Sequence, residues 1–120
     1  MRPALRPVAV VVVSLATVLA LSACTSATGT TVAVTATDEA CEVADTELSA
    51  GAYTFEVSNE GSQVTELYIY TGDDQVVGEV ENVGPGVTQD LEVELEAGEY
   101  EAACKPGMTG DGIRTPLTVS

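Results

Sequence analysis

From residue 32 to the C-terminus the chain alternates between apolar and polar positions. Val32, Val34 and Ala36 are interleaved with threonines. Tyr53, Phe55 and Val57 alternate with Thr54, Glu56 and Ser58, and Leu91, Val93 and Leu95 alternate with Glu92, Glu94 and Glu96. A period of two with one polar side is the signature of a half-buried antiparallel strand. Further strands are predicted at Val64–Tyr70, Val76–Val83, Tyr100–Cys104 and Pro116–Val119. Pro116 suits a strand start or an edge, where a missing N–H costs little. Turn signals separate the runs, at Ser49-Ala50-Gly51, Asn59-Glu60-Gly61, Thr71-Gly72-Asp73-Asp74, Gly84-Pro85-Gly86, Glu96-Ala97-Gly98 and Pro106-Gly107. Seven or eight short strands at this spacing predict an all-β sandwich or small barrel. A helical turn is expected only near Asp45–Leu48. No internal repeat is evident.

The first 31 residues follow another pattern. Arg2 and Arg6 precede a 14-residue apolar run, Val8 to Leu21, that ends in Leu21-Ser22-Ala23-Cys24. A basic head, a greasy stretch of this length and small residues before a cut make a secretory signal. A cysteine directly after Leu-Ser-Ala is the lipobox of bacterial lipoproteins, in which Cys24 takes a diacylglycerol. The run falls short of the roughly 20 apolar residues that a spanning helix needs. The expected organisation is a signal peptide over residues 1–23, a lipidated linker over 24–31 and one domain over 32–120. The expected location is the extracytoplasmic face of the cell membrane, with the lipid as anchor.

Charge sharpens the picture. All 19 acids lie after Cys24, opposed there only by Lys105 and Arg114, which leaves the mature part at a formal −17. Such a field repels nucleic acid and anionic lipid and attracts cations. Histidine is absent. That removes the commonest general base and metal ligand, and with it Ser-His-Asp and Cys-His catalysis, His-ligated zinc and the usual two-His, one-Cys copper site. No glycine-rich phosphate loop occurs. The residues point away from an enzyme.

Two cysteines remain besides Cys24. Outside the cytoplasm Cys41 and Cys104 are candidates for a disulfide, which would close a loop of about 64 residues and contribute roughly 4 kcal/mol. They are also candidates for metal ligation. The segment Gly98-Glu99-Tyr100-Glu101-Ala102-Ala103-Cys104-Lys105-Pro106-Gly107-Met108 resembles the C-terminal copper loop of cupredoxins, in which Gly-x-Tyr is followed by Cys, His and Met. The loop histidine is missing, and Glu66 stands near the place of the upstream one, so no blue-copper centre is expected.

Taken in order, Cys41-Glu42, Leu48-Ser49-Ala50-Gly51, Phe55-Glu56-Val57-Ser58-Asn59, Glu66-Leu67-Tyr68, Asn82-Val83-Gly84-Pro85-Gly86, Leu95-Glu96-Ala97-Gly98-Glu99-Tyr100 and Cys104 resemble the cupredoxin-like domain of the EfeO family, extracytoplasmic components of bacterial iron uptake. The resemblance covers residues 32–120 and implies a cupredoxin-like Greek-key sandwich with a metal-binding role. It implies Cys41, Glu66 and Cys104 as metal-site residues, and analogy with the copper loop adds Met108. Glu66 is a hard oxygen donor suited to iron, whereas the two cysteines and Met108 are soft donors suited to Cu(I). If the cysteines bond to each other, only carboxylates remain. Implied partners are the metal cation, the membrane through the lipid, and an iron permease or other envelope protein. Two other readings stay open, a disulfide-stapled interaction module without metal and a small redox or electron-transfer protein.

Overall fold

The structure is a computed structural model that describes residues 29–120. The expected signal peptide and Cys24 lie outside the described residues. Among the described residues nine strands follow one another: β1 (Thr30–Ala36), β2 (Cys41–Val43), β3 (Glu47–Leu48), β4 (Gly51–Asn59), β5 (Thr65–Thr71), β6 (Val76–Val83), β7 (Thr88–Leu95), β8 (Gly98–Cys104) and β9 (Ile113–Val119). The seven long strands are those the alternation predicts. The other two are short. The one helical element among the described residues is a 3-10 turn at Pro106–Met108.

The expected helical turn near Asp45–Leu48 is not there. Asp45 Oδ1 accepts from the Glu47 N–H at 3.1 Å, and Glu47–Leu48 then pairs in parallel with Thr118–Val119. An acid that turns the chain and a leucine with a sheet edge to join outweigh any local helix preference. β9 also begins earlier than expected, which places Pro116 mid-strand. This costs no ladder bond on the β3 side, because β3 pairs only with residues 118 and 119.

The strands form two sheets, one ordered β2-β1-β4-β7 and the other β3-β9-β8-β5-β6. β1 runs parallel to β4, from Thr30 beside Tyr53 to Ala36 beside Asn59. The alternation decides which side chains are buried. Along β4, Tyr53, Phe55 and Val57 point inward and Glu56 outward, and along β7 Leu91 and Leu95 are buried between exposed Asp90, Glu92 and Glu94. From the second sheet Leu67, Ile69, Ala102, Cys104, Leu117 and Val119 complete the core. Each large apolar side chain buried here contributes about 1.5–3 kcal/mol.

The pairing registers define two ends. Thr30, the 44–50 segment, the 72–75 turn, the 96–97 turn and Ser120 lie at one, the terminal end. The 37–40, 60–64, 84–87 and 105–112 segments lie at the other, the loop end. A repeated device closes the terminal end. Leu48-Ser49-Ala50-Gly51-Ala52-Tyr53 and Leu95-Glu96-Ala97-Gly98-Glu99-Tyr100 share the pattern Leu-x-Ala-Gly-x-Tyr. In the first the Tyr53 hydroxyl donates to the Ser49 carbonyl at 2.6 Å and accepts from the Ser49 N–H at 3.1 Å. In the second the Tyr100 hydroxyl donates to the Glu96 carbonyl at 2.9 Å. One such corner leads into each sheet. The chain therefore holds a short repeat that alternation alone does not reveal.

Candidate functional site

The loop end is built by long-range contacts. Cys41 opens β2 and Cys104 closes β8, and the two form a disulfide with Cα atoms 5.4 Å apart that ties one sheet to the other. Asn59, 2% exposed, is the internal brace. Its Nδ2 donates to the carbonyls of Gln63 at 2.7 Å and Val83 at 2.8 Å, and its Oδ1 accepts from the Gly61 N–H at 2.9 Å. Asp38 reaches across from the neighbouring turn and accepts from the backbone N–H groups of Ser62 and Gln63 and from the Ser62 hydroxyl. The Ser62 hydroxyl bond holds the Asp38 carboxyl below the usual carboxylate range against a smaller opposing effect of burial. A methyl group at Gly61 would lie 2.5 Å from that carboxylate, so only glycine lets the loop approach so closely.

Of the four candidate metal ligands, the structure brings two together. Both sulfurs are engaged with each other in the core, Cys104 being fully buried. Glu66 sits one residue from Leu67, the direct partner of Cys104, and so projects from the opposite, outer face of the sheet. Met108 is 41% exposed beyond β8, with a φ of +54°. Among the described residues no group of three or more His, Cys, Asp or Glu side chains is placed to hold a metal ion. The cupredoxin fold implies a blue-copper centre, but the donors do not fit one. The sequence has no histidine, and the Cys104 sulfur is already bonded.

Around Glu66 lies a side-chain cluster built on Tyr68 and Tyr70. Tyr68 and Tyr70 stack with ring centroids 5.6 Å apart. Lys105 Nζ lies 4.0 Å from the Tyr68 ring centroid and donates to the Tyr70 hydroxyl at 2.7 Å. The Arg114 guanidinium lies 4.4 Å from the Tyr70 centroid, bonded to Asp74 at 2.7 Å with Glu101 at 3.5 Å. The only two cations after Arg6 thus flank one tyrosine pair, an arrangement that attracts through the negative ring faces. Ala103 lies opposite Tyr68 and Arg114 in register and is fully buried beneath this cover.

The Tyr68 hydroxyl donates to Glu81 at 3.0 Å. That bond first, then burial and the nearby carboxylates Glu66, Glu79 and Glu81, hold the phenol protonated far above its ordinary range. Glu66 is also pushed up, chiefly by burial and then by Glu81, with Lys105 opposing. A sequence signal for the cluster exists: Glu66, Tyr68 and Tyr70 recur every second residue in a domain with two cations. Glu99 and Glu101 lie on this outer face, opposite to Tyr100 and Cys104, as the alternation predicts.

Comparison with known proteins agrees with this fold. Residues 8–119 match the family described as Cupredoxin-like domain. The iron uptake system component EfeO of Escherichia coli strain K12 and that of Shigella flexneri are each 37% identical over 73 residues, which is 61% of this chain and 19% of the relative. The match thus spans about a fifth of those relatives' length. Among solved structures, dithionite-reduced auracyanin from Roseiflexus castenholzii superposes with a TM-score of 0.60 at 15% identity, covering 78% of this chain and 98% of that one. Auracyanin A from Chloroflexus aurantiacus, a blue copper protein, gives 0.57 at 14% identity, covering 77% and 99%. At that identity the likeness is one of fold. The chain belongs to the cupredoxin-like domain family, and its domain is of the type found in EfeO.

Proposed function

We propose that this chain is a membrane-tethered, extracytoplasmic accessory of iron uptake that handles the metal as cargo. It is anchored by lipid on Cys24 and works beside an iron permease or other envelope protein. The observation that carries the reading is the 37% identity to a component of an iron uptake system. The donor chemistry supports it. With Cys41 and Cys104 bonded to each other, Glu66 is the hard donor left among the four candidates, and carboxylate oxygen suits iron better than copper. Copper would become the cargo only where the disulfide is reduced, with Cys41, Cys104 and Met108 as soft donors. We read the chain as a binding protein and not an enzyme, because a sequence without histidine lacks the usual proton-transfer residue near neutrality.

The test is calorimetric titration of the mature protein with iron. Glu66→Gln is expected to weaken binding by about tenfold or more, the scale on which loss of a metal-site partner is felt. Equal affinity in the variant removes Glu66 from the reading. The disulfide itself favours a second reading, a stapled interaction module of the envelope that binds no metal. A flat titration of the unsubstituted protein selects it. An electron-transfer role draws no support from the donor set.

A further inference from the structure

The structure points to the loop end as a docking surface, and we infer that its partner is a protein presenting an apolar patch ringed by lysine and arginine. Five large apolar side chains are exposed among the described residues, and three of them, Val64 (36%), Val87 (42%) and Met108 (41%), lie at this end. Short links join them. The Gly107 N–H, next to Met108, donates to the Val64 carbonyl at 2.8 Å. Gln63, next to Val64, accepts from Asn59, whose own N–H donates to the Val87 carbonyl at 3.0 Å.

The surface is preformed. The Asn59 brace, the Asp38 bonds and the disulfide below fix the loops that carry the three side chains, which lowers the ordering cost of association. Met108 adds a sign of its own. Among the described residues three other than glycine have a positive φ, and the other two, Asp74 and Asn82, are of types that tolerate it. A methionine held left-handed is disfavoured by the approach of its Cβ to the following carbonyl oxygen, and here it keeps an apolar side chain in water. Neither Thr30 nor Ser120 lies at this end, so neither end of the described chain covers it.

Charge selects the occupant. Exposed Glu39, Glu60 and Asp111 flank the surface, and the domain carries two cations against 19 acids. A second copy or an anionic bilayer would be repelled by that field, whereas a basic rim would be drawn in. This inference rests on the envelope partner of the proposed function but not on metal binding.

The full chain is expressed in its own cells with a photo-crosslinking residue at position 64, 87 or 108, and at 54 or 77 as controls. A protein captured at the first three positions only is purified and titrated with the mature chain. The expected result has three parts. Val87→Thr/Met108→Gly weakens binding by about tenfold, on the scale of interface anchors. Glu39→Lys/Glu60→Lys weakens it as well. Raising salt from about 0.05 M to about 0.5 M, which shortens the screening length severalfold, does the same. Met108→Gly keeps its melting temperature, since glycine accepts the left-handed φ, so lost binding is not lost fold. Equal capture at all five positions, capture of a second copy, no capture, or an affinity untouched by the variants overturns the inference. Iron titration of Val87→Thr tests the metal reading separately.

Discussion

The two ends of this sandwich are closed by opposite means. At the terminal end each sheet is entered through its own corner, a tyrosine hydroxyl bonded four residues back to Ser49 or Glu96. The closure is local and written twice in nearly the same letters. At the loop end the closing groups come from far apart: Cys41 to Cys104 across 63 positions, Asp38 to Ser62 and Asn59 to Val83 across 24. A local corner can form as soon as its own turn forms and costs little chain entropy. The long-range hydrogen bonds must overcome the entropy of closing large loops on folding, whereas the disulfide, which persists when the chain unfolds, stabilises by restricting the unfolded chain. The loop end is therefore where stability is concentrated in a few bonds, the disulfide above all, and where a rigid surface is kept far from Thr30 and Ser120.

The sharpest way to break the contrast is to open the loop end. Cys41→Ser is expected to lower stability by about 4 kcal/mol in the chain-entropy view of a loop this long. For a domain of this size that is a large share of the total. Denaturant unfolding under oxidising conditions measures it. A midpoint unchanged from the parent protein would mean that the two sheets are held together without the bridge.

The terminal end should respond more mildly and unequally. Tyr53 is buried, and its hydroxyl serves both the N–H and the carbonyl of Ser49. Tyr53→Phe removes both bonds and is expected to cost about 1–2 kcal/mol. Tyr100 makes a single, exposed bond, and Tyr100→Phe is expected to cost about 0.5 kcal/mol. Equal losses would show that the corners act as interchangeable copies, whatever their burial.

The same contrast explains what the sequence could and could not disclose. Strands β4 and β7 were legible because the period of two places every inward residue without knowledge of a partner. Short β2 and β3 were not, since three and two residues cannot display a period, and each exists only because a neighbouring edge accepts it. The pairing of Cys41 with Cys104 was one of two open outcomes, because spacing along a chain does not say whether two sulfurs meet each other or a metal. Glu66 was hardest. Alternation puts it with Tyr68 and Tyr70, but two tyrosines fit either side of a sheet. Leu67 and Ile69 decide it by taking the core, and the tyrosines then become the floor on which both cations lie. The repeated Leu-x-Ala-Gly-x-Tyr was in plain view, yet its meaning depends on a hydroxyl finding a carbonyl, which a hydropathy pattern does not encode.

The smallest expected effect is a pH dependence at the loop end, with two carboxylates pulling in opposite directions. The Asp38 carboxyl is held below its ordinary value, first by the Ser62 hydroxyl. The folded state therefore binds its proton less readily than the unfolded chain does. Its contribution is present above the ordinary carboxylate value and is lost as pH falls through the lowered one. The Glu66 carboxyl is held high, first by burial, so the folded state keeps its proton more readily, and stability from this group declines as pH rises through the window above the ordinary value. Asp38→Asn should lower the melting temperature near pH 7 and flatten its fall in acid. Glu66→Gln in metal-free protein should raise it slightly near pH 7 and leave it unchanged below the ordinary carboxylate value. Melting curves between about pH 3 and pH 7 separate the two, because the variants shift in opposite senses near pH 7 and only Asp38→Asn changes the fall in acid. If both variants lost stability at neutral pH, burial would not be the dominant influence on Glu66, and Lys105, the cation that opposes it, would be the stronger neighbour.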